Sequence, residues 1–187
     1  LAPVLKLADP PQLICREDKL ERLFGDLAAH HLDVVISDTP LSHQAKGKAF
    51  NHLLGETGIT IFAAGTLAEQ YRRGFPGSLA GAPFILPAEG TTLRRTLDAW
   101  FEREQVQPRV MGEFSDSALL KAFGQGGLGL FAGPSAIAGE IRRQFEVKAL
   151  GELGSLRESF YAVTVERRIR HPAVIAISEA ARHRLFA

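Results

Sequence analysis

The sequence lacks several features that would place a protein in a special class. It has one cysteine, Cys15, in 187 residues, which excludes an internal disulfide and a cysteine-based zinc site and favours a reducing compartment. The formal net charge is only +1, so no electrostatic attraction to nucleic acid or to a membrane surface is indicated. No apolar run approaches the roughly 18 residues that cross a bilayer. The composition, with 45% hydrophobic and 23% charged residues, is that of an ordinary globular protein.

The chain also lacks a translation start. Its first residue is Leu1 and its single methionine is Met111. A further domain or a signal is therefore expected ahead of Leu1.

Sequence motifs of catalysis are missing as well. There is no nucleophile elbow, phosphate loop, paired-carboxylate motif or metalloprotease helix, and the six histidines show no metal-binding spacing. Gly127, Gly129 and Gly133 do not form a dinucleotide fingerprint, because such glycines follow a strand and open a helix, whereas these precede and end one. We expect no enzyme activity and no cofactor, and the sequence leaves any metal ligands undefined.

Hydrophobic patterning predicts an α/β fold with parallel or mixed sheets, because strand and helix patterns alternate along the chain. The strand at 32–37 is apolar and β-branched, which is typical of a strand buried on both faces. The predicted strands are 12–15, 32–37, 51–55, 59–64, 83–86, 107–114, 128–132, 147–150 and 160–165. The predicted helices are 17–29, 67–72, 93–104, 116–123, 136–145 and 173–186.

Two long strands, 59–64 and 160–165, suggest two lobes. They enclose a compact run of alternating strands and helices. If the chain crosses near residue 63 and returns near residue 158, residues 1–63 and 159–187 form one lobe and residues 64–158 the other. The crossings would act as a hinge beside a cleft lined by helix amino termini, which suits an anion or another small polar ligand.

The stretch from Gly112 to Pro134 is the most informative part of the chain. A strand ends near Ser115, and Ser115 and Asp116 are good caps for the helix that follows, since short side-chain oxygens accept from the first free amides. Glycines at 124, 126 and 127 are expected to stop this helix. Its apolar residues are expected to face the core: Leu119, Leu120, Ala122 and Phe123.

Candidate ligand-binding residues follow from the ends of these strands. Ligands of open α/β sheets lie at the carboxyl ends of the strands, which nominates Ser115, Asp116, Gly133 and Ser135, the last of which opens the next helix.

Four further hydroxyls and one carboxylate are candidates elsewhere. Thr91 and Thr92 begin a helix, where they either bind a polar ligand or simply cap the helix. Ser37, Asp38 and Thr39 end a strand, where their oxygens either coordinate a hard cation such as sodium or form an ordinary turn before Pro40. The turn is the favoured interpretation.

Several of these motifs together resemble a known family. Residues 32–38 after an amphipathic helix, and 113–124 before a glycine-rich approach to the next strand, are similar to the first-lobe and second-lobe motifs of LysR-type transcriptional regulators. Ser37–Pro40, Leu54–Gly58, Gly112–Gly124 and His171–Val174 together resemble the members that respond to sodium and activate a sodium/proton antiporter gene. The similarity covers nearly the whole chain.

The resemblance implies a two-lobed effector-sensing domain with the type II periplasmic-binding-protein fold. It implies a small ligand or ion, with sodium among the candidates, in a cleft between the lobes. It also implies DNA binding through an N-terminal winged helix-turn-helix, a homodimer or homotetramer, a cytoplasmic location and no membrane contact. The DNA-binding part, the first strand and most of the first helix of the effector domain are expected to be missing, so this fragment is expected to have no DNA-binding residues.

Two alternatives remain open from the sequence. An extracytoplasmic solute-binding protein can have the same fold, and an export signal ahead of Leu1 would indicate it. An enzyme built on this fold would need a reactive group in the cleft, and the single thiol, Cys15, is expected on a buried strand.

Overall fold

A computed structural model describes residues 3–41, 49–154 and 156–186. In these stretches the chain forms helices that alternate with strands, which confirms the predicted α/β class. The helices are α1 (Leu20–Ala28), α2 (Gly65–Arg72), α3 (Thr92–Arg103), α4 (Ser117–Gln125), α5 (Ala138–Gln144) and α6 (Pro172–Ala180). The strands are β1 (Val35–Ser37), β2 (Phe50–Thr57), β3 (Ile59–Ala63), β4 (Pro83–Pro87), β5 (Arg109–Phe114), β6 (Phe131–Pro134), β7 (Lys148–Glu152) and β8 (Glu158–Thr164).

The chain divides into two compact units. Unit 1 consists of Leu1–Glu56 and Ser159–Ala187, and unit 2 consists of Thr57–Glu158. The chain therefore passes from one unit to the other at the end of β2 and returns at the start of β8. Strand β3 pairs with β6 and β7 and so belongs to unit 2, whereas the hinge predicted from the sequence lies after this strand.

Unit 1 is built on a sheet with the order β1-β8-β2. Strand β1 runs antiparallel to β8, and Val35 lies opposite Val163. Helix α1 covers one face through Leu27, which packs with these two valines. On the other face Leu54 and Ala162 pack against the end of the chain.

Two sequence-based expectations for unit 1 are wrong. Strand β1 is not buried on both faces: Ile36 is 48% exposed, because β1 is an edge strand of its sheet. Residues 12–15 form no strand, and Cys15 is exposed. An extended segment becomes a strand only when a neighbouring strand takes its backbone hydrogen bonds, and periodicity does not reveal whether that neighbour exists.

Unit 2 contains a mixed sheet. Strands β6, β3 and β7 form one antiparallel group, and β4 and β5 form a parallel pair. A parallel bridge between Phe84 and Leu130 joins the two groups, so the strands follow the order β5-β4-β6-β3-β7.

Helices cover both faces of the unit 2 sheet. On one face, Trp100 and Phe101 of α3 pack against Phe84 of β4. On the other face, Leu120 of α4 and Ile141 of α5 pack on β3, β4 and β6. All five residues of β3 are buried, as expected for a central strand between two helical layers.

Helix α4 differs from its prediction in two respects. Leu120 is buried, but Leu119 and Phe123 are 49% and 46% exposed and Ala122 is exposed as well, so these three side chains do not face the core. Gly124 lies inside the helix instead of stopping it. The helix ends at Gln125, and Gly127, with a φ of 82°, takes the left-handed conformation that reverses the chain.

None of the helices in the described part of the chain has the length and apolar character that a bilayer crossing requires.

Candidate functional site

Three strands of unit 2 end at the same edge of the sheet. Pro87 of β4 lies opposite Phe114 of the parallel strand β5, and the amide of Ala88 donates to the carbonyl of Phe114 at 2.8 Å. Strand β6 also runs parallel to β4 after the Phe84–Leu130 bridge. The segments that follow the three strands therefore lie along one edge, which we call the carboxyl edge. It brings together the predicted site residues Thr91, Thr92, Ser115, Asp116 and Ser135.

Thr91 is the N-cap of α3, one of the two residues that the sequence offered for this cap. Its Oγ1 accepts a hydrogen bond from the Arg94 amide at 3.3 Å and donates to the carbonyl of Ala88 at 3.0 Å. The Thr91 hydroxyl is exposed, whereas Thr92, the first residue of the helix, is partly buried. The cap thus fixes the start of α3 to the turn that leaves β4.

Asp116 is the N-cap of α4, whereas Ser115, which was predicted as a cap as well, only precedes it. The Oδ1 atom of Asp116 accepts from the amides of Ala118 at 2.7 Å and Leu119 at 2.9 Å. The hydrogen bonds from Leu119 and Ala118 stabilise the carboxylate and lower the pKa of Asp116. The negative charge compensates the amide dipoles at this helix end, so a cation or a neutral polar group fits here better than an anion.

Arg94 joins the start of α3 to the ends of β4 and β5, a role that the sequence did not reveal. Its side chain is only 11% exposed. Nε donates to both carboxylate oxygens of Asp98 at 3.0 Å, and Nη1 donates to Glu113 at 2.9 Å and to the Pro87 carbonyl at 3.0 Å. Burial by itself would lower the pKa of Arg94, but the hydrogen bonds to Glu113 and Asp98 raise it.

Arg94 therefore does not lie on a solvated helix face. The spacing of Arg94 and Asp98, four residues apart on one helix, is visible in the sequence. The contact with Glu113 depends on the pairing of β4 with β5 and has no local signal.

A cluster of hydroxyls holds the segment after β6. The Oγ of Ser135 lies 2.7 Å from the Oγ1 of Thr60, and the Ser135 amide donates to the Gly58 carbonyl at 2.9 Å. The Ala136 amide donates to Thr57 Oγ1 at 2.8 Å. Thr57 and Thr60 are buried, so this cluster adds two polar residues that sequence reasoning did not single out.

Gly133 and Glu152 lie close to this cluster. A Cβ atom on Gly133 would approach Ile141 Cδ1 to 3.0 Å, so this glycine faces the core beside β3. A Cβ atom on Gly58 would lie 2.6 Å from Glu152 Oε1 and 3.0 Å from Ser135 Oγ, which places the Glu152 carboxylate beside the hydroxyl cluster.

The remaining predicted site residues form a turn in unit 1. Ser37 Oγ donates to the Thr39 carbonyl at 2.7 Å and accepts from the Thr39 amide at 3.0 Å. Thr39 Oγ1 donates to the Asp38 carboxylate at 3.1 Å. These are the local hydrogen bonds of a serine turn. No group of three or more His, Cys, Asp or Glu side chains in the described stretches is arranged to hold a metal ion.

Comparison with known proteins identifies relatives over almost the whole chain. Residues 11–185 match the family described as the LysR substrate binding domain. The chain is 31% identical over 178 residues to the transcriptional activator protein NhaR of Escherichia coli K12, an alignment that covers 95% of this chain and 58% of NhaR. The chain thus spans less than two thirds of that relative's length.

Solved structures share the fold at lower identity. Vibrio fischeri DarR, solved in complex with DNA, superposes with a TM-score of 0.72 at 18% identity, covering 97% of this chain and 62% of DarR. The effector-binding domain of QuiR, solved with shikimate, superposes with a TM-score of 0.58 at 15% identity, covering 91% of this chain and 81% of the QuiR domain. At these identities the similarity shows the two-lobed fold of such regulatory domains and nothing more.

Proposed function

Because the chain belongs to the LysR substrate-binding domain family, we propose that it is the effector-sensing regulatory domain of a DNA-binding transcriptional activator. The observation that carries this proposal is the 31% identity to an activator over 95% of the chain. A domain of this kind binds an effector and needs no catalytic group. We therefore assign no enzyme activity to it, and we place it in the cytoplasm, where a regulator reaches its gene.

The effector in this proposal is a small polar ligand or ion bound at the carboxyl edge. The contact residues proposed at this edge are Thr91, Thr92, Ser115, Asp116, Gly133 and Ser135. Ser37, Asp38 and Thr39 are proposed as a separate candidate set within unit 1. The hydroxyls of Thr91 and Ser135 and the carboxylate of Asp116 lie along this edge, and the Glu152 carboxylate lies beside Ser135. Oxygen donors of this kind suit a hard cation.

We propose sodium as the effector, acting on the gene of a sodium/proton antiporter. Sodium is a hard cation that takes oxygen ligands, and the Asp116 carboxylate stays ionised well below neutral pH because its pKa is lowered. A cation that prefers one of two domain states tenfold contributes about 1.4 kcal/mol to the equilibrium between them. A few charge-assisted contacts are enough for such a preference.

Two partners complete the proposal. DNA is bound by an N-terminal winged helix-turn-helix that precedes the present residues in the whole protein. The domain also pairs with a second copy of itself, because members of this family act on DNA as oligomers. The exposed side chains of Leu119 and Phe123, one turn apart on α4, are apolar surface that a second copy would cover.

The test is binding of the full-length protein to its own promoter region while sodium is varied. Potassium holds the total ionic strength constant, because DNA affinity falls steeply with any salt. A change in affinity or footprint that is specific to sodium supports the proposal. Specific DNA binding without a sodium effect would exclude sodium as the effector but would retain the assignment as a transcriptional regulator. Absence of specific DNA binding overturns the regulator.

A further inference from the structure

Unit 1 contains a cavity that is lined entirely by residues of this unit. It has a volume of about 680 Å³, which is within the range of small-molecule sites. The loop before β1, the segment after β8 and the first turn of α6 form its walls. Since β1 and β8 are antiparallel, these walls lie at the end of the sheet opposite the Ser37–Thr39 turn. We call this space the unit 1 cavity.

Apolar side chains form much of the inner surface of the unit 1 cavity, beside the buried Thr164. Leu32, Val165 and Ile169 are partly buried, and Val174 in the first turn of α6 is buried. These side chains belong to different segments and meet at the same space. They provide a surface for the hydrocarbon part of a ligand.

The rim of the cavity carries charges of both signs. Asp33 and Glu166 supply two carboxylates, Arg170 supplies a guanidinium, and the imidazole rings of His30 and His171 also line the cavity. No ion pair or side-chain hydrogen bond engages the two carboxylates or the guanidinium within the described residues. A simple anion is disfavoured because two carboxylates face only one guanidinium. A simple cation is disfavoured because the guanidinium repels it.

The start of α6 adds backbone donors beside Arg170. His171 is the N-cap residue, and its side chain makes no capping hydrogen bond. Pro172 has no N–H, so the first free amides of the helix are those of Ala173 and Val174. These amides and the Arg170 guanidinium favour a carboxylate at this side of the cavity.

We propose that the unit 1 cavity binds a small zwitterion with an apolar side chain, that is, an apolar α-amino acid. Its carboxylate lies toward Arg170 and the first turn of α6, its ammonium group lies toward Asp33 and Glu166, and its side chain rests on Leu32, Val165 and Ile169. This site is separate from the carboxyl edge. The protein then responds to an amino acid in addition to the effector proposed above.

The test is titration of the protein with L-leucine, L-methionine and L-phenylalanine by calorimetry, at about pH 8, where free imidazole is neutral. We expect saturable binding of at least one of the three. For leucine, isocaproate lacks the ammonium group and isoamylamine lacks the carboxylate. Each leaves one charged wall of the cavity unpaired, so each is expected to bind at least about tenfold more weakly. Absence of binding for all three amino acids overturns the proposal, as does equal binding of the analogues and the parent.

Substitutions locate the binding site. Arg170→Gln and Asp33→Asn are expected to weaken binding of the amino acid at least about tenfold. Arg142→Gln, at an exposed arginine on α5 of unit 2, is the matched control and leaves binding unchanged. Both pocket residues are exposed, so the variants are expected to fold, and their circular dichroism checks this. Wild-type affinity in both pocket variants overturns the assignment.

Asp116→Asn separates this inference from the proposed function. It alters the carboxyl edge of unit 2 and is expected to leave amino-acid binding intact. Loss of amino-acid binding in Asp116→Asn would show that the amino acid binds at the carboxyl edge and would overturn the unit 1 site, whatever the outcome of the sodium experiment.

Discussion

Arg94 and Glu113 form an ion pair of 2.9 Å between Nη1 and Oε1 that joins the first turn of α3 to the end of β5. Arg94 lies four residues before its second partner, Asp98, and it also holds the Pro87 carbonyl at the end of β4. A single guanidinium thus fixes two strand ends and one helix start. The geometry of the carboxyl edge depends on it.

Arg94→Ala is expected to lower the free energy of unfolding by about 1 to 3 kcal/mol, since a largely buried guanidinium and its charge-assisted hydrogen bonds are lost together. Arg94→Lys keeps the charge but cannot bond three partners in the same fork, so an intermediate loss is expected. Urea denaturation measures both values. Arg103→Ala is the control, because Arg103 is 55% exposed and its ion pair is with Glu104, the next residue, so a change of at most about 0.5 kcal/mol is expected. Equal effects of the two alanine variants would contradict a special role of Arg94.

Asp116 gives unit 2 a stability that depends on pH. Hydrogen bonds from Leu119 and Ala118 lower its pKa, so the folded state favours the ionised form more than the unfolded state does. The resulting stability is present above the ordinary aspartate pKa of about 3.9 and is lost as the pH falls through the lower pKa of the folded state.

Comparison of the wild type with Asp116→Ala in urea measures this dependence. The wild type is expected to be the more stable protein at neutral pH, and the difference is expected to shrink steadily in acid. Ser115→Ala is the control, because Ser115 is exposed and Asp116 is the residue that caps α4. A difference between wild type and Asp116→Ala that is independent of pH would contradict the ionised cap.

Local features of the structure followed from the sequence. Helical spacing and β-branched runs located β3, β4, α3 and α5 to within a few residues. Thr91 and Asp116 were each one of two cap candidates named from the sequence, because a cap acts on amides only two or three residues away. The fold class could be predicted from the alternation of strand and helix patterns alone.

Features that depend on tertiary pairing did not follow from the sequence. The Ser135–Thr60 hydrogen bond joins residues 75 positions apart, and it exists because β6 pairs with β3. The same limitation explains the error for residues 12–15, where no neighbouring strand is present in the described structure. Exposure of Leu119 and Phe123 is a third case, since the orientation of α4 is set by the fit of its buried side against β6.

Leu119 and Phe123 provide a test of the proposed self-association. The double variant Leu119→Ser, Phe123→Ser is expected to shift the protein toward monomer in sedimentation experiments, because it removes apolar surface that a second copy would bury. Both side chains are nearly half exposed, so folding is expected to survive. Ile14→Ser is the control, since Ile14 is 71% exposed in unit 1. An unchanged oligomer in the double variant, or a monomeric wild type, would contradict an α4 interface.

Gly124 provides a test of the packing of α4 on the sheet. A Cβ atom at this position would lie 2.3 Å from Cδ1 of Phe131, and Phe131 is fully buried and stacked on Phe62. The ring has no free space to move into, so Gly124→Ala is expected to destabilise the protein by about 1 to 3 kcal/mol. Gly25→Ala is the matched control, because Gly25 also lies inside a helix but a Cβ atom there meets no atom within 4 Å.

Helix propensity alone predicts that both alanines stabilise the protein by up to about 1 kcal/mol. Opposite signs are therefore expected in urea denaturation, with Gly25→Ala raising the unfolding midpoint and Gly124→Ala lowering it. If Gly124→Ala were also stabilising, α4 could not pack against Phe131 at the observed distance. The orientation of α4 that leaves Leu119 and Phe123 exposed depends on that packing, so it would be contradicted as well.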